Sequence, residues 1–190
     1  MNTILRAVAV AALLGSTSIA AIPAISMEQT VEVGGAPMYP SKNIIENAVN
    51  SKDHTTLVAA VKAAGLVDTL SGPGPFTVFA PTNEAFDALP AGTVETLLKP
   101  ENKDQLVKIL TCHVVAADAM SDAIKKMVMD DGGAHTVMTV GGCELTVKTD
   151  GDKIMITDET GATAHVTIAD VKQSNGVIHV IDKVLLPAMG

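Results

Sequence analysis

Between residues 41 and 110 the apolar positions of this chain recur at helical spacing, and from about residue 137 they recur at every second position. In the first stretch Ser41 is a candidate N-cap for a short helix carrying Ile44, Ile45, Ala48 and Val49. Asp53 opens a second helix with Leu57, Val58, Val61 and Ala64 on one face, and Gly65 sits where a left-handed residue would end it. Phe76-Thr77-Val78-Phe79 reads as a short strand bounded by Pro73, Pro75 and Pro81. Thr82 caps a helix through Leu89, with Glu84 in its first turn favoured by the helix dipole. Thr93 caps another helix through Leu98, and beyond Pro100 a further helix runs through Leu110.

In the later stretch Cys143, Leu145 and Val147 alternate with polar residues, then Asp150-Gly151 marks a turn, then Ile154 and Ile156 alternate again. A two-residue turn there pairs Val147 with Ile154 and Leu145 with Ile156. A second hairpin joins 166–172 to 177–184 through Ser174-Asn175-Gly176, which would set His179 opposite Lys172. The last strand is apolar on both faces, which predicts burial from two sides. Helices first and hairpins later indicate an α+β domain rather than an alternating parallel sheet.

Two segments then carry a resemblance. Gly74-Pro75-Phe76-Thr77-Val78-Phe79-Ala80-Pro81-Thr82-Asn83-Glu84-Ala85-Phe86 resembles the first signature motif of fasciclin domains. Asn175-Gly176-Val177-Ile178-His179-Val180-Ile181-Asp182-Lys183-Val184-Leu185-Leu186-Pro187 resembles the second. Leu110 to Val115 occupies the place of the family's Tyr-His segment, with Cys112 where the tyrosine stands and His113 matching. The chain is similar, in particular, to secreted bacterial single-domain members. The resemblance implies a wedge-shaped antiparallel β-sandwich with helices packed along one edge. It also implies an interior position for the motif residues Phe76, Val78, Phe79, Pro81, Thr82, Phe86, His113, Ile178, His179 and Asp182. Adhesion or matrix binding is the role typical of the family, and enzymatic activity is not.

The first 26 residues read as a secretory signal, with Arg6 near the start, an apolar run from Ala7 to Leu14, and cleavage near residue 20 or 26. Residues 27–40, turn-rich from Gly34 to Pro40, form an extended or looped lead-in, and 41–190 form the domain. The apolar run is shorter than the roughly 20 residues of a spanning helix, and no second apolar run follows, so no transmembrane segment is expected once the signal is gone. The expected location is periplasmic or extracellular.

Composition narrows the partners. Of 13 basic residues Arg6 is the only arginine, against 21 acids and a formal charge of −8. Nucleic acid is therefore excluded as a partner, since its recognition leans on arginine forks and basic patches. Aromatic residues make up 2% of the chain, so sugar binding by ring stacking is disfavoured and the core must be aliphatic.

Cys112 and Cys143 are the only cysteines. They form either a disulfide, which the exported setting favours, or two buried thiols. The five histidines lack metal-ligand spacing, so neither metal nor cofactor is expected, and His113 and His179 read as satisfied core residues. The acidic pairs near 130 and 150 coincide with glycine turns. Met120, Met127, Met129 and Met138 read mostly as core filler. No nucleophile-and-base signature is present. The expected function is an exported non-enzymatic binding module with an unidentified protein or surface polymer as partner. The alternative is a carrier of an apolar small ligand, a lipid or pigment.

Overall fold

The computed structural model describes residues 29–188, so the expected signal at 1–26 lies outside the described residues. The lead-in is not a loose arm. Strands β1 (Val31–Val33) and β2 (Ala36–Met38) make a small hairpin whose Val33, Ala36 and Met38 are buried in the main core. The turn-rich composition thus marks a tight turn at Gly34-Gly35, and the globular unit begins before residue 41.

Five helices follow the expected periodicity, α1 (Ile44–Ala48), α2 (Thr55–Ala64), α4 (Asn83–Asp87), α5 (Thr93–Leu97) and α6 (Lys103–Thr111), and one short helix that the pattern did not predict, α3 (Val67–Ser71), lies between α2 and the first strand of the main sheet. Their caps differ in part from expectation. Asn43, not Ser41, caps α1, in a reciprocal pairing with Glu46. Asp53 lies in a single 3₁₀ turn, and the Thr56 N–H at the head of α2 is satisfied by Asn83 Oδ1 instead, at 3.0 Å. Thr82 caps α4 as expected, and Gly65 ends α2 in the left-handed conformation. Gly92 takes the cap position before α5, one residue ahead of the expected Thr93.

A seven-stranded sheet supplies the rest, from β3 (Phe76–Pro81), β4 (Val114–Val115), β5 (His135–Met138), β6 (Glu144–Asp150), β7 (Lys153–Thr157), β8 (Thr163–Gln173) and β9 (Gly176–Ile181). The order is β4-β3-β9-β8-β7-β6-β5, and helix α7 (Ser121–Asp130) lies against it. Together these elements make an α+β fold. Every neighbouring pair is antiparallel except β3 and β9, which run parallel because the long intervening chain returns to the same end before β9 begins.

Strand β8 belongs to both halves of the sheet. Its start pairs with β7, its remainder pairs with β9, and register breaks on either side of Ile168 bend it between. The two halves fold over one apolar cluster. Phe79 and Ile181 come from one half, Leu145, Val147, Ile154 and Ile156 from the other, and Ile124 and Val128 from α7. The opposite face of β3 and β9 packs Val78, Ile178 and Val180 against the helices. Strand β9 is buried on both faces, in agreement with its continuous apolar sequence.

Both hairpin registers differ from expectation. In the first, Val147 pairs with Ile156 and Thr149 with Ile154, because the turn falls on Gly151-Asp152 with Gly151 at φ 58°. The partner moves by two residues, so the same side chains still face the core. In the second, Lys172 pairs with Val177, and the turn falls on Ser174-Asn175. Asn175 is drawn out of the pairing by its side chain, which accepts from the Ile44 N–H and donates to the Leu70 and Gly72 carbonyls. The bulges in β8 then carry Asp170, not Lys172, to His179.

The two end strands of the sheet are drawn together. The Val140 N–H, just after β5, donates to the Val114 carbonyl of β4 at 2.7 Å, and the Gly141 N–H donates to the Thr111 carbonyl. Gly141 is required by space: a Cβ there would stand 2.6 Å from Thr111 Oγ1 and 2.9 Å from the Cys112 nitrogen. The disulfide Cys112–Cys143, with Cα atoms 5.3 Å apart, fastens the same seam.

Candidate functional site

Buried polar residues of β3 and β9 converge on one loop, 116–120, between β4 and α7. Thr77, fully buried in an otherwise apolar strand, donates through Oγ1 to the Ala117 carbonyl at 2.6 Å and accepts the Ala119 N–H at 2.9 Å. His179, also fully buried, donates from Nε2 to the Ala119 carbonyl at 2.8 Å. Its Nδ1 accepts the Asp170 N–H, which fixes the tautomer. Burial pushes the His179 pKa down, opposed by the Ala119 carbonyl and by Asp170 and Asp118. The Asp170 carboxylate accepts from both the N–H and the hydroxyl of Ser121, at 2.6 and 2.5 Å. Asp170 holds φ 60°, a left-handed conformation rare for a non-glycine residue, at the β8 bulge that makes this reach possible.

This tethering holds one wall of an apolar cavity of about 160 Å³. Its floor is Thr77, Phe79, Val115, Ile124 and Val147, all buried, and its mouth is lined by Ala117, Ala119, Met127, His135 and Val137, all at least partly accessible. At the mouth His135 Nδ1 lies 2.6 Å from Asp131 Oδ2. Replacing Thr77 by Val is expected to cost about 1 to 2 kcal/mol, since two backbone groups lose a buried partner. It should also speed amide exchange at Ala119 and Ser121, measured by hydrogen exchange; unchanged protection there would refute the tethering role.

A second, smaller cavity of about 40 Å³ lies on the helical side, between the β1–β2 hairpin, α1 to α3 and β3. Buried His54 lines it, with Nδ1 2.8 Å from Ser51 Oγ and Nε2 without a hydrogen-bond partner. Burial lowers the His54 pKa, with the nearby Ala80 carbonyl acting against that.

The residues expected in the interior divide. Val78, Phe79, Pro81, Phe86, His113, Ile178 and His179 are buried, while Phe76 and Thr82 are half-buried. Asp182 is not a core residue. It follows the end of β9, faces solvent, and accepts the His165 N–H at 2.7 Å. His113 donates from Nδ1 to the Ile109 carbonyl and accepts the Leu185 N–H on Nε2, at 2.8 and 2.9 Å. Met129 and Met138 are exposed rather than core, and only Met127 of the four methionines borders the cavity. Among the described residues no group of His, Cys, Asp and Glu is arranged to hold a metal ion, and no helix is long and apolar enough to cross a membrane. Sequence reasoning missed Asp170, Ser121 and the role of Thr77. A lone threonine and a lone aspartate inside apolar strands were the available signal.

The fold and this motif arrangement define a class. The sequence profile of the fasciclin domain matches residues 52–187, and the chain belongs to that family. It is 46% identical to Protein sll1483 of Synechocystis sp., across the full length of both chains. It is 39% identical to the cell surface glycolipoprotein MPB83 of Mycobacterium bovis, over 74% of this chain and 58% of that one. With the transforming growth factor-beta-induced protein ig-h3 of Sus scrofa it shares 34% identity over 78% of this chain and only 20% of the other. In structure it resembles a FAS1 domain pair from the insect cell adhesion molecule fasciclin I, with a TM-score of 0.68, 16% identity, and coverage of 86% of this chain and 59% of that one. The hairpin at 31–38 and helix α1 precede the matched segment, yet they pack into the same core.

Proposed function

We propose that this chain is an exported, non-enzymatic binding module that works at the cell surface or in the envelope, with a protein or surface polymer as its partner. One observation carries the proposal: the two motif histidines and both cysteines are consumed in the framework. His113 and His179 each spend both ring nitrogens on backbone groups, and the two cysteines spend their sulfurs on each other. A scaffold of this kind presents its surface and loops to a partner. The disulfide suits an oxidising compartment, in keeping with the signal-like residues 1–26. The names of relatives, a cell surface glycolipoprotein and a cell adhesion molecule, point the same way. Chemical cross-linking in intact cells followed by affinity capture from envelope fractions tests this reading. A saturable, specific partner is expected, and recovery of the chain alone at every cross-linker concentration would count decisively against it.

The second reading, carriage of an apolar small ligand, is favoured by the 160 Å³ cavity with its apolar floor.

A further inference from the structure

We propose that the cavity under loop 116–120 is a binding site for a hydrocarbon group, either a ring of about benzene size or the end of a hydrocarbon chain. The inference rests on the carrier reading and gives it a place and a chemistry.

The walls dictate the chemistry. Phe79, Val115, Ile124, Met127, Val137 and Val147 offer carbon and sulfur surface only. The one hydroxyl on the floor, Thr77 Oγ1, already has its proton on the Ala117 carbonyl and one lone pair on the Ala119 N–H. The Ala119 carbonyl is taken by His179. Water entering this space would give up its hydrogen bonds without finding the two to four polar partners that hold an internal water. An apolar group loses nothing there. At about 160 Å³ the space matches the roughly 150 Å³ at which an apolar cavity, in another protein, stays dry yet takes up benzene or xenon.

The site is also built in advance. Loop 116–120 would collapse onto Phe79 and Val115 if it were free to do so, because interiors tend to close-packing. Thr77, His179 and Asp170 prevent this by holding its two ends and its middle. Alanine at 117 and 119 keeps side chains out of the space. The buried polar residues of both family motifs therefore act here as positioning residues for one wall. The mouth, at Ala117, Met127, His135 and Val137, is accessible, so a ligand can enter without unfolding the sheet. The His135–Asp131 pair at the rim leaves a polar edge beside which the remainder of a larger amphiphile would lie.

The test titrates benzene and, separately, n-hexane into the full chain and follows methyl resonances by NMR. Saturable shifts centred on Val115, Ile124, Met127, Val137 and Val147 are expected for at least one of the two probes. Benzene alone would assign a ring site, and hexane a chain site. Ala119→Leu and Val137→Phe, which add bulk at two positions lining the space, should each weaken binding at least tenfold while the fold persists by circular dichroism. Ala48→Leu, beside the smaller cavity, should leave binding unchanged. The proposal is overturned if neither probe saturates, if the shifts centre on Leu57 and Val61, or if the filled variants that remain folded bind as the parent does. Organic extraction of natively purified chain separates this from the carrier reading: benzene binding with no co-purified ligand keeps the site and discards the cargo role.

Discussion

Acidification from pH 7 to pH 4 is expected to remove about 3 kcal/mol of folding stability through His113 alone. Its ring is fully buried and neutral, donating from Nδ1 to the Ile109 carbonyl and accepting the Leu185 N–H on Nε2. A proton on Nε2 would displace the Leu185 N–H and set a charge in the core. Burial therefore pushes the pKa down from 6.5 to about 4, only partly offset by the Ile109 carbonyl and the Asp158 charge. As pH falls below 6.5 the unfolded chain takes up this proton first, so stability is complete above that point and drains away down to about pH 4. His179 and His54, also lowered by burial, act in the same direction. Urea unfolding at pH 7.5, 5.5 and 4.2 measures the loss, and His113→Phe should flatten the profile at the expense of stability at neutral pH. A parent whose stability does not change across this window would disprove the assignment. Glu159, which accepts the Glu144 and Ala188 N–H groups, is lowered as well, and its contribution is lost only below the ordinary carboxylate range.

That His113 and His179 are framework residues was legible in the sequence, since each lies among β-branched apolar neighbours. The helical stretch, the strand at 76, the two hairpins and the two-sided burial of β9 were legible for the same reason, namely that periodicity reports which faces meet the core. Registers were not. They depend on where a single turn falls, and Asn175 shifts its turn by bonding to Ile44, Leu70 and Gly72, residues far away in the chain. The β1–β2 hairpin escaped because strands of three residues, one containing Pro37, are too short to show a period. The cavity wall is less legible still. Thr77 to Ala119, Ser121 to Asp170 and His179 to Ala119 are contacts across 42, 49 and 60 positions, and no local pattern encodes them. The polar residues stand out only after the strands are assigned, as a Thr inside Phe-Thr-Val-Phe and an Asp inside Ile-Ala-Asp-Val.

Replacing Cys112 and Cys143 together by alanine should lower stability by about 3 to 4 kcal/mol, the chain-entropy value for a loop of this span. Sequence separation of 31 residues sets that figure. For a chain of this size the loss corresponds to a fall in Tm of about 10 °C. The position of the bridge gives the loss a local signature. Both sulfurs lie at the seam where the sheet's end strands meet, beside the Val140-to-Val114 and Gly141-to-Thr111 hydrogen bonds. Without the bridge those two bonds lose a covalent fastening beside them, and an unpaired edge is where sheets open and associate. Amide exchange at Val140 and Gly141 should therefore accelerate more than exchange in β9, which is buried on both faces. A reducing agent should reproduce both effects in the parent and neither in the double variant. If the variant melts at the parent's temperature, or exchange rises evenly across all strands, the bridge is dispensable at the seam. The seam would then be held by the close backbone approach at Gly141, where even a methyl group has no room.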